Sequence, residues 1–380
     1  MHHFHWGHTK LWHVAKKKEL NEIYVSMGIR SFALAIIGIF IPLYLFKELN
    51  FTLQQVMYFY LITLILFALF SIPAASLIKK IGAKHTILAS IPILILFFIL
   101  LYSLQSMPSI YLLTAAVGGI ADAFFWIAFH LNFIKSSDHK KRGKEVGIFF
   151  AVSMIAGILG PLIGGSILSF LDGFTVLFIA VSILLILSTV PLFMSQDKGK
   201  KSNFKIKNIF KALKPKEFIS LTALGLRSYA AGILWPIFIF VILKTYFNLG
   251  SLTSVIGLFA AILVIYSGKL SDKYGKKPLI LTGSYISGIV WFFRIFIKTV
   301  SHVFWTAIIG DLSFSANDVA LSAEIYDRAA KNKNKLEFLI AREWALCTGR
   351  AILAISIILT SKYAVGFVLA GISSFVWTII

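Results

Sequence analysis

Apolar residues along this chain gather into long blocks, each at or near the roughly 20 residues an α-helix needs to cross about 30 Å of hydrocarbon. Twelve blocks emerge: residues 23–46, 53–78, 86–104, 110–134, 145–170 and 174–194, then, after a polar stretch, 217–243, 253–270, 278–297, 303–325, 338–360 and 363–380. The eighth is short and carries Lys269 at its end. The pattern predicts an all-α membrane protein with twelve transmembrane helices.

Composition agrees. Hydrophobic residues make up 58% and charged residues 14% of the 380 positions, against about 25% charged in a soluble globular chain. Mean hydropathy is +0.85. A water-soluble fold of this size cannot hide so much apolar surface. The single cysteine, Cys347, excludes an intramolecular disulfide framework and a cysteine-rich metal site.

The formal charge of +21 raises the question of nucleic acid until its placement is known. The N-terminal segment and the even-numbered connections hold 28 of the 37 Lys and Arg; the odd-numbered connections hold 4, and five arginines lie inside spans. This alternation is the positive-inside signature and predicts a multi-pass protein of the cell membrane with both termini cytoplasmic. Charge parcelled into short loops also excludes a nucleic-acid face. Residues 1–22 are polar and basic, without the apolar core of a signal peptide. Their five histidines (His2, His3, His5, His8, His13) could capture a metal. Without a second ligand cluster they read as a solvated or interfacial tail, so no metal and no cofactor are expected.

The chain is written twice. Gly28-Ile29-Arg30-Ser31-Phe32-Ala33 recurs as Gly225-Leu226-Arg227-Ser228-Tyr229-Ala230; Leu77, Gly82 and Lys84 recur as Leu270, Gly275 and Lys277; Glu145 and Gly157 recur as Glu337 and Gly349. Echoes in one order at nearly one offset describe a duplication. The predicted organisation is a tail over 1–22, a six-helix half over 23–194, a basic cytoplasmic linker over 195–216 and a second six-helix half over 217–380. Parallel halves of this kind place a site at their interface, near mid-membrane.

The stretch Gly268-Lys269-Leu270-Ser271-Asp272-Lys273-Tyr274-Gly275-Lys276-Lys277 resembles the loop motif of the major facilitator superfamily, which follows the second helix of a half, as here. The resemblance implies the two-half fold over the whole chain. It also implies that the loop aspartate, Asp272, serves as a gate beside the fifth helix, near Arg328. The first copy, around Lys79 and Gly82, has lysine where the second has Asp272; Glu337 and Glu343 could offset it as a charge-swapped gate. In the fifth span, Gly147, Ala156 and Gly160-Pro161-Leu162-Ile163-Gly164-Gly165 look like the glycine-proline motif of the superfamily's exporters. The same residues serve equally as close packing for neighbouring helices.

Charges inside a span cost about 2.5–3.5 kcal/mol each at a helix centre, so the deep ones should face partners or water. Asp122, Trp126 and His130 share one stripe of span 4; Asp311, Ser315, Asp318 and Ser322 share one on span 10. Ser26 with Arg30 marks span 1, and Ser220, Arg227 and Trp235 mark span 7. The resemblance implies that the first and fourth helices of each half line the central cavity, and these stripes fall on those four. Glu343, Cys347 and Arg350 form a further stripe on span 11. Arg30 is expected to meet Asp122, and Arg227 to meet Asp318 or Asp311. Trp126 and Trp235 are candidates to stack on a ligand, Asp122 to carry a proton, and His130 to assist. Arg294, Arg342 and Glu324 lie near helix ends, where they can snorkel. Static ion pairs that fix packing are the competing reading.

No zinc-protease, serine-hydrolase or nucleotide-binding motif is present, so no enzyme is expected. The function expected is a monomeric secondary active transporter of a small charged or amphiphilic solute, with membrane lipid around it. Alternating access would move the solute, with proton-coupled export as one form. A non-transporting sensor or assembly partner is the alternative. Arginines in both halves favour an anionic or zwitterionic solute, whereas the acids and tryptophans favour a cation.

Overall fold

The computed structural model describes the backbone of residues 6–136, 142–171, 173–193, 204–274 and 276–376; within these, side chains are described at 21–135, 148, 151–171, 173–193, 204–262, 278, 280–311, 313 and 324–376. Helices account for the architecture, and no strand occurs among the described residues. The long elements are α1 (Trp6–Ile37), α2 (Leu53–Ile81), α3 (Ala83–Ser103), α4 (Tyr111–Ser136), α5 (Arg142–Phe170), α6 (Gly173–Leu187), α7 (Pro215–Leu243), α8 (Tyr246–Tyr274), α9 (Lys276–Phe293), α10 (Val300–Lys331), α11 (Lys335–Thr360) and α12 (Tyr363–Val376).

Local chemistry sets the ends. Thr52 and Gln55 form a capping box that starts α2: the Gln55 amide donates to Thr52 Oγ1 at 3.2 Å and the Thr52 amide to Gln55 Oε1 at 2.8 Å. Gly82, at φ 90°, turns the chain from α2 into α3, a conformation that glycine adopts without strain. Beyond Ile37, Pro42 interrupts the hydrogen-bond ladder, and a π-turn over Tyr44–Glu48 carries the helix to the far end. A second π-turn, Ala230–Leu234, lies inside α7 just before Pro236. Two elements run past the apolar blocks that predict them. α1 begins at Trp6 because the tail is rich in helix formers, and α10 continues to Lys331 on Ala and charged residues.

Eight helices among the described residues are long and apolar enough to cross a membrane: Asn21–Glu48, Leu53–Ile81, Ala83–Ser103, Pro108–Lys135, Ala151–Phe170, Gly173–Phe193, Pro215–Leu243 and Lys335–Thr360. Tyr246–Ile262, Ile280–Phe296 and Tyr363–Val376 are apolar but shorter. Their outer faces carry large exposed side chains such as Leu69, Ile99, Leu112, Ile155, Ile179 and Ile355, a surface suited to hydrocarbon rather than water.

Packing repeats along the chain. α1 packs on α5 and α6, and α4 on α2 and α3; α7 packs in the same way on α11 and α12, and α10 on α8 and α9. The two most extensive crossings between the first set and the second are α5 with α8 and α2 with α11. Advancing every element by six maps the whole scheme onto itself, as an internal two-fold arrangement requires.

Glycines make the tightest crossings. A Cβ on Gly160 would sit 2.5 Å from the Ala35 Cβ, and one on Gly164 would collide with the Ile36 carbonyl, both on α1. On its other side α5 meets α8, where a Cβ on Gly165 would lie 2.6 Å from the Tyr246 carbonyl oxygen and one on Gly250 would strike the Pro161 carbonyl. The Leu162 amide donates to Ser254 Oγ across this crossing at 3.0 Å. Gly225 and Gly349 do the same where α7 meets α11. The helix-5 motif therefore packs α5 against two neighbours at once; the side chain position of its first member, Gly147, lies outside the described residues.

Gly157 is the internal control, because a Cβ there meets nothing within 4 Å. Gly164→Ala should lower stability by about 1–3 kcal/mol through overpacking, while Gly157→Ala should be neutral or gain up to about 1 kcal/mol from helix propensity. Unfolding midpoints of the two variants in detergent measure the difference.

Candidate functional site

Four-residue spacing sets Asp122, Trp126 and His130 along one face of α4. Against that face α1 brings Arg30, which is 2% exposed and holds its guanidinium carbon 3.5 Å above the Phe125 ring. Arg30 and Asp122 interact electrostatically without closing an ion pair. α11 enters from the opposite side with Glu343, Cys347 and Arg350. Asp122 lies within electrostatic reach of Arg350 and Glu343 as well. Tyr229 of α7 sits beneath Arg350, 5.9 Å from ring centre to guanidinium carbon, and donates its hydroxyl to the Tyr60 carbonyl of α2 at 3.3 Å. Helices from both sides of the linker thus converge on one polar centre.

Toward the end that carries the linker, His130 closes the centre off. Its Nδ1 lies 2.7 Å from the Tyr326 hydroxyl of α10, and its Nε2 lies 3.3 Å from Arg342 Nη1 and 3.5 Å from Glu343 Oε1. Arg342 Nη1 also bonds Glu343 Oε1 directly. Trp126 stacks on the imidazole at 5.4 Å. Further out, the Trp344 indole donates to the Ala68 carbonyl and Ser71 Oγ of α2 at 3.1 and 3.0 Å, and Glu337 accepts from the Lys205 amide of the linker at 2.9 Å. The opposite end is closed too. The Tyr246 hydroxyl donates to Glu48 Oε1 at 2.5 Å, and its ring packs against Phe40, Phe174 and Phe240. Gln54 Nε2 donates to the Ile358 carbonyl at 3.3 Å. The centre is bracketed by contacts at both ends.

The second arginine of the repeat behaves differently. Arg227 donates from Nε and Nη2 to Ser287 Oγ of α9 at 3.1 and 2.8 Å. Asp311 is in electrostatic reach of Arg227, but its direct ion pair is with Arg294, at 3.5 Å. Arg294 does not snorkel from a helix end. It is 1% exposed, with its guanidinium carbon 3.9 Å from the Trp235 ring centre and 4.1 Å from that of Trp291, and it donates to the Thr306 carbonyl at 3.4 Å. Trp235, expected to stack on a ligand, stacks on this arginine and on Phe238 within the core. Arg294 is held beside Asp311 by two indole faces, and the pairing expected between Arg227 and Asp318 falls outside the described residues.

One gate expectation is corrected. Lys79 is exposed and, among the described residues, makes no ion pair with Glu337 or Glu343; its charge sits in the last turn of α2, where it complements the helix C-terminus. Arg328 pairs with Glu217 at 2.7 Å and with Glu324 at 2.8 Å. The side chains of Asp272 and Asp318, with Gly268 and Gly275, lie outside the described residues. Sequence reasoning placed Arg342 among the snorkelling helix-end residues and passed over Tyr326 and the buried Glu22–Lys84 pair at 2.9 Å that ties the start of α1 to α3. Only Arg342 carried a signal, its adjacency to Glu343. Among the described residues no group of His, Cys, Asp and Glu could hold a metal ion.

The Arg294 site makes an unequal pair. Asp311 is 41% exposed on its side chain, whereas Arg294 is enclosed. Asp311→Asn should cost about 1 kcal/mol or less, and Arg294→Met about 2 kcal/mol or more through the lost cation–π contacts. Denaturation midpoints give the stability difference, and a shift in tryptophan emission should accompany the second substitution alone.

Comparison with known proteins bears on what such an arrangement belongs to. The chain is 24% identical over 353 residues to the uncharacterized protein YqgE of Bacillus subtilis (strain 168), covering 86% of this chain and 78% of that one. It is 25% identical over 182 residues to an uncharacterized protein from the sodM 3' region of Geobacillus stearothermophilus, covering 47% of this chain and 85% of that one. The crystal structure of the fucose:proton symporter FucP of E. coli superposes with a TM-score of 0.65 at 11% identity, over 95% of this chain and 97% of that one, a likeness of fold. The family profile described as Major Facilitator Superfamily matches residues 23–320, most of the chain and all the elements that build the polar centre except α11. This protein is therefore a member of the Major Facilitator Superfamily, a membrane transporter by family and by fold.

Proposed function

We propose that the protein is a secondary active transporter that moves a small charged or amphiphilic solute by alternating access. In this reading twelve helices span the cell membrane as two halves, 23–194 and 217–380, with the basic linker and both termini in the cytoplasm. One observation carries it: a polar centre built by α1, α4, α7 and α11 lies between contacts that close the bundle at each end. A purely structural ion-pair core would saturate its charges, and this one leaves Arg30 and Arg350 without ion-pair partners among the described residues.

Rocking of the halves about the α5–α8 and α2–α11 crossings would break one closing contact while the other holds. His130, Tyr326, Arg342 and Glu343 would form the cytoplasmic closure, and Glu48 with Tyr246 the external one. Asp122, in the middle of the centre, is the group we assign to a coupling proton. Export is the direction that the exporter-like glycine-proline motif of α5 favours.

Spin labels at Lys80 and Lys333, and at Ser106 and Lys298, would report the two ends on a Cys347→Ser background; all four labelling positions are exposed. Glu343→Ala should shift the population toward opening at the linker end by about tenfold, the worth of one charged hydrogen bond. Tyr246→Phe should widen the opposite end. Solute flux into proteoliposomes should fall in both variants. If no pool of anionic, zwitterionic, cationic or neutral solutes changes either distance or crosses the membrane, the transporter reading fails.

A further inference from the structure

The ion-pair ledger of the polar centre does not close. Arg30, Arg342 and Arg350 bring three positive charges, and Asp122 and Glu343 bring two negative ones. Glu343 is taken up by Arg342 and His130. Among the described residues Asp122 is then the one carboxylate left between Arg30 and Arg350, and it touches neither at ion-pair distance.

The hydrogen-bond ledger agrees. Nε and Nη1 of Arg30 and Nε of Arg350 are buried N–H donors with no acceptor. A buried donor left without a partner costs about 1–3 kcal/mol, and more for a charged group, so a fold seldom keeps three in one place without use. Both guanidinium groups already have their apolar faces covered, by Phe125 and by Tyr229, which leaves their edges for a ligand. A guanidinium edge matches the two oxygens of a carboxylate in a bidentate pair.

We infer that the centre is a binding site for an organic monoanion, with a carboxylate held between Arg30 of α1 and Arg350 of α11. This rests on the transporter reading and names its substrate class. One net positive charge matches one carboxylate. A single anionic group gripped by one arginine from each side of the linker also couples ligand binding to the approach of the two halves. Asp122 competes with the ligand for the same two arginines, so its negative charge lowers the affinity. The Tyr60 and Tyr229 rings flank the centre and suit an apolar body behind the carboxylate.

Tryptophan fluorescence of the full-length protein in detergent tests this with benzoate, lactate and gluconate against benzyl alcohol, sorbitol and benzylamine. Benzoate or another of the three carboxylates should bind with a dissociation constant of about 1 mM or tighter, and its uncharged and cationic counterparts should not. Arg30→Gln and Arg350→Gln should each weaken that binding at least about tenfold. Asp122→Asn removes the competing carboxylate and should tighten it several-fold, a gain that a misfolded variant cannot imitate. Weaker carboxylate binding in Asp122→Asn, or unchanged binding in both arginine variants, overturns the assignment. Binding and spin-label response with sorbitol or benzylamine, but with no carboxylate, overturns it while leaving the transporter reading standing. Silence toward every solute in both experiments removes the transporter reading and this site with it.

Discussion

A charge enclosed among helices whose outer faces meet hydrocarbon has no bulk water to fall back on, and the interior of this bundle is arranged around that constraint. Among the described residues, most deep ionised groups are placed where another helix can answer them. Glu22 meets Lys84 at 2.9 Å between α1 and α3. Arg294 is answered by two indoles and Asp311, and Glu343 by Arg342 and His130. These contacts fix which helix faces turn inward, and the apolar remainder, such as Leu69 and Ile355, is left for lipid. The exceptions, Arg30 and Arg350, stand out because the rule is otherwise kept.

Close approach of backbones supplies the second half of the design. Apolar side chains gain little by leaving lipid for one another, so helix association in a membrane leans on packing and on hydrogen bonds between elements. Gly160, Gly164 and Gly165 let α5 lie against α1 and α8, while Gly225 and Gly349 do the same for α7 and α11. Smooth crossings with few interlocking side chains are also the ones along which two bodies can tilt at small cost. Among the described residues, the broad crossings of α5 with α8 and of α2 with α11 carry specific polar ties: Ser254 to the Leu162 amide and Ser169 to the Phe247 amide, then the Trp344 indole to Ala68 and Ser71 and Gln54 to the Ile358 carbonyl.

Duplication gave both copies an arginine at the same place, and the surroundings then diverged. Arg227 is held by Ser287 on α9, whereas Arg30 lies on Phe125 with donors unbonded. The copies have one scaffold and two electrostatic fates.

The bundle itself was legible from the amino acids alone. Apolar block lengths, the alternation of basic loops and the repeated Gly-x-Arg-Ser segment depend only on local composition and on the solvent that composition demands. Helix-face spacing also placed Asp122, Trp126 and His130 together, because a 3.6-residue period is a property of one helix. The partner of each charge was not legible. Asp311 pairs with Arg294, Lys79 answers its own helix end, and α11 contributes as much to the centre as α1 or α4. Tyr326 joins His130 from 196 residues away with no motif to announce it. Ion-pair choice is settled by rotation and depth of one helix against another over a few ångströms, and only the packed bundle holds that information.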